Sequence, residues 1–240
     1  MAYNLLELVN AVARRLNETE LTSSNFSTAT GFYAQIKDAV NSSIRDVNLY
    51  HEYWPYNHNS ETITLTAGVT RYPIPADAKF VDYNNFRLER DTSVDIGAAR
   101  RLEQITYNEY VDTYIDQENE TDTTKGAATI NVFKTLDNSF GVVPMPDKAY
   151  TITYEYFNFP VDLNLFSDAQ TTISTHIILF SDAPTIPERF KFVITDGAMY
   201  HAYMFRDNIE MGQVAFKKFE EGMKYMRKLL VNENVYLRAT

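Results

Sequence analysis

Apolar residues recur at helical spacing at both ends of the chain and near a period of two between them. Leu5, Leu8, Val9, Val12 and Leu16 predict a first amphipathic helix. Residues 17–30 are polar and rich in Ser and Thr, a loop able to cap the next helix. Phe32, Ile36, Val40, Ile44 and Val47 predict a second helix ending near Tyr50, with Pro55 barring continuation. Then the period changes. Thr62–Thr66 alternates, Ala67-Gly68 turns, and Thr70–Ile74 returns, which predicts a hairpin. Further strands are expected over 80–88, 129–133, 140–143 and 150–157, and a short one over 176–180. In 150–157, Tyr150, Ile152, Tyr154 and Tyr156 share one face. Residues 104–114 predict a short helix, and 116–126 a charged, mobile loop.

The C-terminal quarter returns to helical spacing. Thr185 and Glu188 fit a reciprocal cap around Pro187. Ile186, Phe190, Ile194, Ala198, Ala202 and Phe205 form one stripe. After a polar break at Arg206-Asp207-Asn208, a second stripe runs through Ile209, Gly212, Phe216, Phe219, Met223, Met226 and Leu230. Its alternating steps of three and four are those of a helix–helix seam. Two antiparallel helices with a tight turn are predicted, with Gly197-Ala198 and Gly212 allowing close approach. The expected fold is α+β: a four-helix bundle formed by the N- and C-terminal helices, with a sandwich- or barrel-like β-rich insertion. The expected segments are helices over 1–51, the insertion over 52–184, a helical hairpin over 185–231 and an arm over 232–240.

The 240 residues include no Cys, which removes disulfides, thiolate metal sites and cysteine catalysis. There is no leader-like segment and no apolar run approaching 18 residues. A soluble protein outside the secretory route is expected, so the four Asn-x-Ser/Thr triplets carry no glycosylation signal. The net charge of −10 is uneven. Residues 1–51 hold 4 basic and 5 acidic side chains, 52–186 hold 9 and 20, and 187–240 hold 9 and 7. No basic stripe for gripping phosphates is present, so tight DNA binding is not expected.

Candidate chemistry is sparse. His51-Glu52 opens like a zinc-protease helix, but Pro55 stands where the second His belongs and His58 lies beyond it. Asp116, Glu118, Glu120 and Asp122 alternate as in a calcium loop, yet Thr121 replaces the turn Gly and Ala127 the closing Glu. No nucleophile elbow, dinucleotide loop or phosphate loop occurs. Tyr50, Tyr53, Trp54 and Tyr56 offer either a stacking platform for sugars or bases, or a wedge packing the helices against the sheet; the wedge is favoured. No catalytic residue, metal ligand or cofactor is assigned.

Several local patterns occur in an order that resembles the head–tail adaptor (connector) proteins of tailed, especially short-tailed, bacteriophages. They are Tyr53-Trp54-Pro55-Tyr56-Asn57, Thr64-Leu65 to Gly68, and Tyr72-Pro73-Ile74-Pro75. Val143-Pro144-Met145-Pro146-Asp147 and the strand from Tyr150 to Tyr156 come next. Ile186-Pro187-Glu188-Arg189-Phe190, leading to Gly197-Ala198 and the closing helix, completes the order. The resemblance spans roughly residues 5–231; the loop at 116–126 and the segment 167–183 match none of it.

The resemblance implies a structural virion protein without enzymatic activity. It implies a ring of identical, twelve-fold subunits beneath the portal that extends the DNA channel and carries the tail nozzle or tube. Assembly would occur in the host cytoplasm, without membrane contact. An acidic conduit that lets DNA pass without sticking fits the charge. Val235, Tyr236, Leu237 and Arg238 are unusually apolar and aromatic for a terminus, and are the candidates for docking the arm on the portal. The alternatives are another ring of the head–tail complex, a stopper or tail terminator, and a tail module that binds or cleaves carbohydrate.

Overall fold

The structure, a computed structural model, describes residues 4–120, 122–158 and 183–231. It is mixed α+β, with five α-helices and two sheets among the described residues. The helices are α1 (Leu5–Arg15), α2 (Phe32–Tyr50), α3 (Tyr107–Tyr114), α4 (Lys191–Phe205) and α5 (Ile209–Leu230). The strands are β1 (His58–Thr64), β2 (Arg71–Pro73), β3 (Ala78–Val81), β4 (Arg87–Leu88), β5 (Arg100–Arg101), β6 (Glu103–Ile105), β7 (Asn131–Lys134), β8 (Ser139–Val143) and β9 (Thr151–Asn158). Two compact units result: a helical unit within Met1–Asn57 and Phe159–Thr240, and a β unit, His58–Asn158.

In the helical unit, Asn4 caps α1 by accepting from the Glu7 N–H at 2.9 Å, while Arg14 and Arg15 suit the negative end of the helix dipole. Leu8, Val9, Val12 and Ala13 are buried against α2 and α4. The polar loop does not cap α2: Gly31 stands at the N-cap, with φ of 64° and no side-chain bond. The loop is instead tied from elsewhere. The buried Asn10 side chain exchanges two 2.8 Å hydrogen bonds with the backbone of Leu21. Lys37, on α2, donates to the Phe26 and Ala29 carbonyls. Burial lowers the Lys37 pKa, so its two carbonyl partners offset a real desolvation cost.

The packing centres on α4, which meets α1, α2 and α5; these contacts do not confirm a four-helix bundle. Gly212 lies beside Tyr203 and Met204, Phe219 beside Gly197, and Gly222 beside Val193, so α5 runs antiparallel to α4. At Gly197 three helices converge. A Cβ there would lie 2.3 Å from Ser43 Oγ on α2 and 2.8 Å from the Phe219 ring on α5. Ser43 Oγ donates to the Ile194 carbonyl at 2.8 Å, fixing α2 against α4. Gly222, which the sequence stripe does not include, allows close approach to Val193 as well.

Two expectations about this hairpin are corrected. The Thr185–Glu188 cap does not form: residues 188–190 make a 3-10 turn, and the Thr185 hydroxyl reaches the Asn57 side chain instead. The seam of α5 is Gly212, Ala215, Phe219, Gly222, Met223 and Met226, while Ile209 and Phe216 are exposed. Phe205, at the end of α4, is also exposed. At 3.6 residues per turn, Ile209 and Phe216 fall at the edge of the face centred on Gly212, Phe219 and Met226, so they turn towards solvent.

The β unit has β9 at the centre of one sheet. β1 runs antiparallel along one edge of β9, and β3 and β4 share the other edge, with β5 beyond β4. The second sheet has the order β2-β8-β7-β6, with β6 parallel to β7. The expected hairpin over 62–74 is therefore not one, since β1 and β2 join different sheets. The Tyr72 hydroxyl closes the connection, accepting from the Thr66 N–H at 2.8 Å and bonding the Val69 carbonyl at 3.0 Å. The alternating face of β9 is inward: Tyr150, Ile152, Tyr154 and Tyr156 are buried. Phe86 stacks on Tyr154 at 4.6 Å and Phe140 meets Tyr154 edge-on at 5.3 Å, joining the sheets over one aromatic core.

The strand expected over 80–88 is broken by a 3-10 turn at Tyr83–Asn85, which the Asp82 carboxylate caps. The helix expected over 104–114 begins later. Ile105 ends β6, and a reciprocal cap between Thr106 and Glu109 starts α3. Residues 176–180 and 232–240 lie outside the described residues.

Candidate assembly interface

The His residues weighed as metal ligands do not converge. His51 ends α2, where its Nδ1 accepts from the Tyr53 N–H at 3.0 Å. His58 lies 3.0 Å from Glu155 across the β1–β9 pair. Nor does the 116–122 acidic run gather around a point. Glu118 pairs with Arg71, Glu120 with Lys125, and Asp122 with the Thr124 backbone and hydroxyl. The segment is a pair of 3-10 turns, and the Gln117 side chain accepts from the Met145 N–H at 2.8 Å. Among the described residues no group of three or more His, Asp or Glu is placed to hold a metal ion.

Trp54 is fully buried in the helical core and donates from its ring nitrogen to the Val47 carbonyl at 2.8 Å. Tyr56 stacks on it at 5.7 Å. These rings are consumed by packing within the helical unit, while Tyr50 is exposed. Shifts in acidity at several groups have local causes. Hydrogen bonds lower the pKa values of Asp91, Glu109, Asp122 and Asp137. Burial pushes Tyr83 and Tyr150 up to about 12. These carboxylates stay ionised and these tyrosines protonated near neutrality.

The surface of α5 carries more information than its titratable groups. Besides its buried seam, α5 bears an exposed apolar stripe at Met211, Val214, Tyr225 and Leu229. Positions 211, 214, 218, 225 and 229 are separated by steps of three, four, seven and four, so they share a second helix face. The sequence carries this signal, but the stronger seam at Phe219 and Met223 obscures it. Where the stripe approaches α4 there is a groove of about 510 Å³. Met199, Tyr203, Met211, Val214 and Ala215 contribute its apolar lining. Arg15, Asp196 and Lys218 supply charge. Arg15 and Asp196 are paired at 2.6 Å, and Lys218 has no ion-pair partner among the described residues.

The candidate residues Val235, Tyr236, Leu237 and Arg238 lie outside the described residues, beyond the end of α5 at Leu230. No described helix is long and apolar enough to cross a membrane.

Compared with known families, residues 3–238 match the family model described as SU10 adaptor protein. No curated protein matches the chain.

Proposed function

The chain belongs to the SU10 adaptor protein family, and on that premise we propose that this structural phage protein forms the head–tail adaptor ring of its virion. In this reading identical subunits close a ring beneath the portal, continue the DNA channel and present a platform for the tail. The observation that carries the proposal is the family match over residues 3–238, nearly the whole chain. Two features support it. A ring of identical subunits needs two different complementary surfaces per chain, and α5 presents an exposed apolar face beyond its own packing. A conduit for DNA must not grip phosphates, and residues 58–158 hold 16 acidic against 9 basic side chains.

The test is electron microscopy of the protein mixed with its cognate portal. A ring stacked coaxially on one end of the portal is the expected result. Single chains scattered on the grid, with portals unchanged, would overturn the reading; a ring that binds tail tubes but not portals would favour a stopper or tail terminator. The charge makes a separate prediction. The isolated chain should show no measurable affinity for duplex DNA near physiological salt, because it has no basic stripe from which counterions would be released. Sub-micromolar binding that weakens steeply with added salt would contradict this.

A further inference from the structure

The loop joining β7 to β8 holds an unusual side chain. Leu136 is 85% exposed, the highest value among the exposed large hydrophobic residues. It is not exposed through looseness of the turn. The Thr135 hydroxyl lies 2.5 Å from Asp137 Oδ1 and 2.6 Å from the Ser139 carbonyl. The Ser139 hydroxyl donates to the same Asp137 oxygen at 2.5 Å. These bonds fold the polar atoms of residues 135–139 onto one another and leave Leu136 as a knob on a braced tip. A leucine held in water this way forgoes the burial that a partner surface would supply.

The same chain carries an apolar-lined groove. The groove between α4 and α5 is lined by Met199, Tyr203, Met211, Val214 and Ala215, side chains suited to an aliphatic knob, with methionines that adapt to its shape. Charge favours joining the two surfaces. Residues 58–158, which bear the knob, have 16 acidic and 9 basic side chains; residues 183–231, which form most of the groove, have 6 and 8. Asp137 stands next to the knob, and Lys218 at the groove has no ion-pair partner among the described residues. Knob and groove belong to different units of one chain, and two unlike surfaces per chain are what head-to-tail assembly requires.

We propose that the Leu136 tip of one subunit seats in the α4–α5 groove of the next, and that this contact closes the ring. The partner is thus a second copy of this chain. The proposal deepens the ring reading above and rests on it.

The absence of native Cys gives a direct test on the full chain. Leu136→Cys and Val214→Cys are introduced together, the protein is mildly oxidised in the presence of portal, and products are separated without reductant. The expected result is a ladder of covalent multimers, absent from either single variant. Native mass spectrometry of the unmodified protein with portal reads ring formation separately. If the unmodified chain makes no ring, the ring reading fails and this contact falls with it. If the rings form but the double variant stays uncrosslinked, or closes a disulfide within one chain, the ring reading stands and the contact is wrong. Leu136→Asp provides the second arm, since a surface loop change should leave the melting temperature nearly unaltered. It should raise the concentration for half-assembly by at least about tenfold. Assembly at the unmodified concentration would overturn the proposal, as would a Leu136 contact captured on the portal or a tail protein instead of on a second copy.

Discussion

Phe219→Ala is expected to destabilise the helical unit by about 3–5 kcal/mol, the range for truncating a buried aromatic side chain. Phe219 is only 6% exposed, and its ring lies against Gly197 at the point where α2, α4 and α5 meet. Truncation would lose the transfer free energy of the ring and leave a cavity. Neighbours on three helices would have to shift to fill it, which the Ser43 to Ile194 hydrogen bond resists. Phe216 provides the internal control. It belongs to the same sequence stripe but is 42% exposed and keeps one ring contact, to Tyr200 at 5.1 Å, so Phe216→Ala should cost monomer stability no more than about 1.5 kcal/mol. Chemical denaturation of the two variants measures both. Equal losses, or a Phe219 loss below about 1 kcal/mol, would mean that α5 does not pack through the face described.

If the chain docks on the portal as proposed, deleting residues 232–240 should abolish or strongly weaken that attachment while leaving the melting temperature nearly unchanged. The expectation comes from the composition of the arm: Val235, Tyr236, Leu237 and Arg238 are of the types that anchor interfaces, where Tyr and Arg are over-represented. Helix α5 ends at Leu230, and the Val231 N–H caps it by donating to the Arg227 carbonyl, so the helix has its terminating bond before the arm begins. A nine-residue peptide segment alone binds weakly, because ordering it offsets much of its contact energy. Held in a ring, the arms would act together, and the loss on deletion should then far exceed the affinity of one free arm. Pull-down on immobilised portal and thermal melting read the two halves of the prediction. Wild-type attachment by the truncated ring would remove the arm as the dock, and a large fall in melting temperature would place it in the core.

The sequence by itself determined where α1 and α2 lie, which face of β9 turns inward, and that the last two helices form an antiparallel pair. These features arise from local periodicity: an apolar residue every three or four positions, or every second one, leaves a segment one stable face to bury. The lack of Cys and of a basic stripe is likewise plain without coordinates, and the order of short motifs already resembles the adaptor family to which the chain belongs. Tertiary structure alone decided what non-local contacts control. β1 and β2 look like a hairpin, but their best partners are β9 and β8, more than 65 residues away in sequence. Thr185 has the residues for a helix cap, yet Asn57, 128 positions distant, takes its hydroxyl. Phe216 and Phe219 are both apolar positions on one amphipathic helix, and only the path of α4 past Gly197 settles which is buried. The candidate interface is of this second kind. A side chain left exposed after folding, such as Leu136, cannot be told from a core residue by its identity, because exposure is what remains once every other segment has chosen its partner.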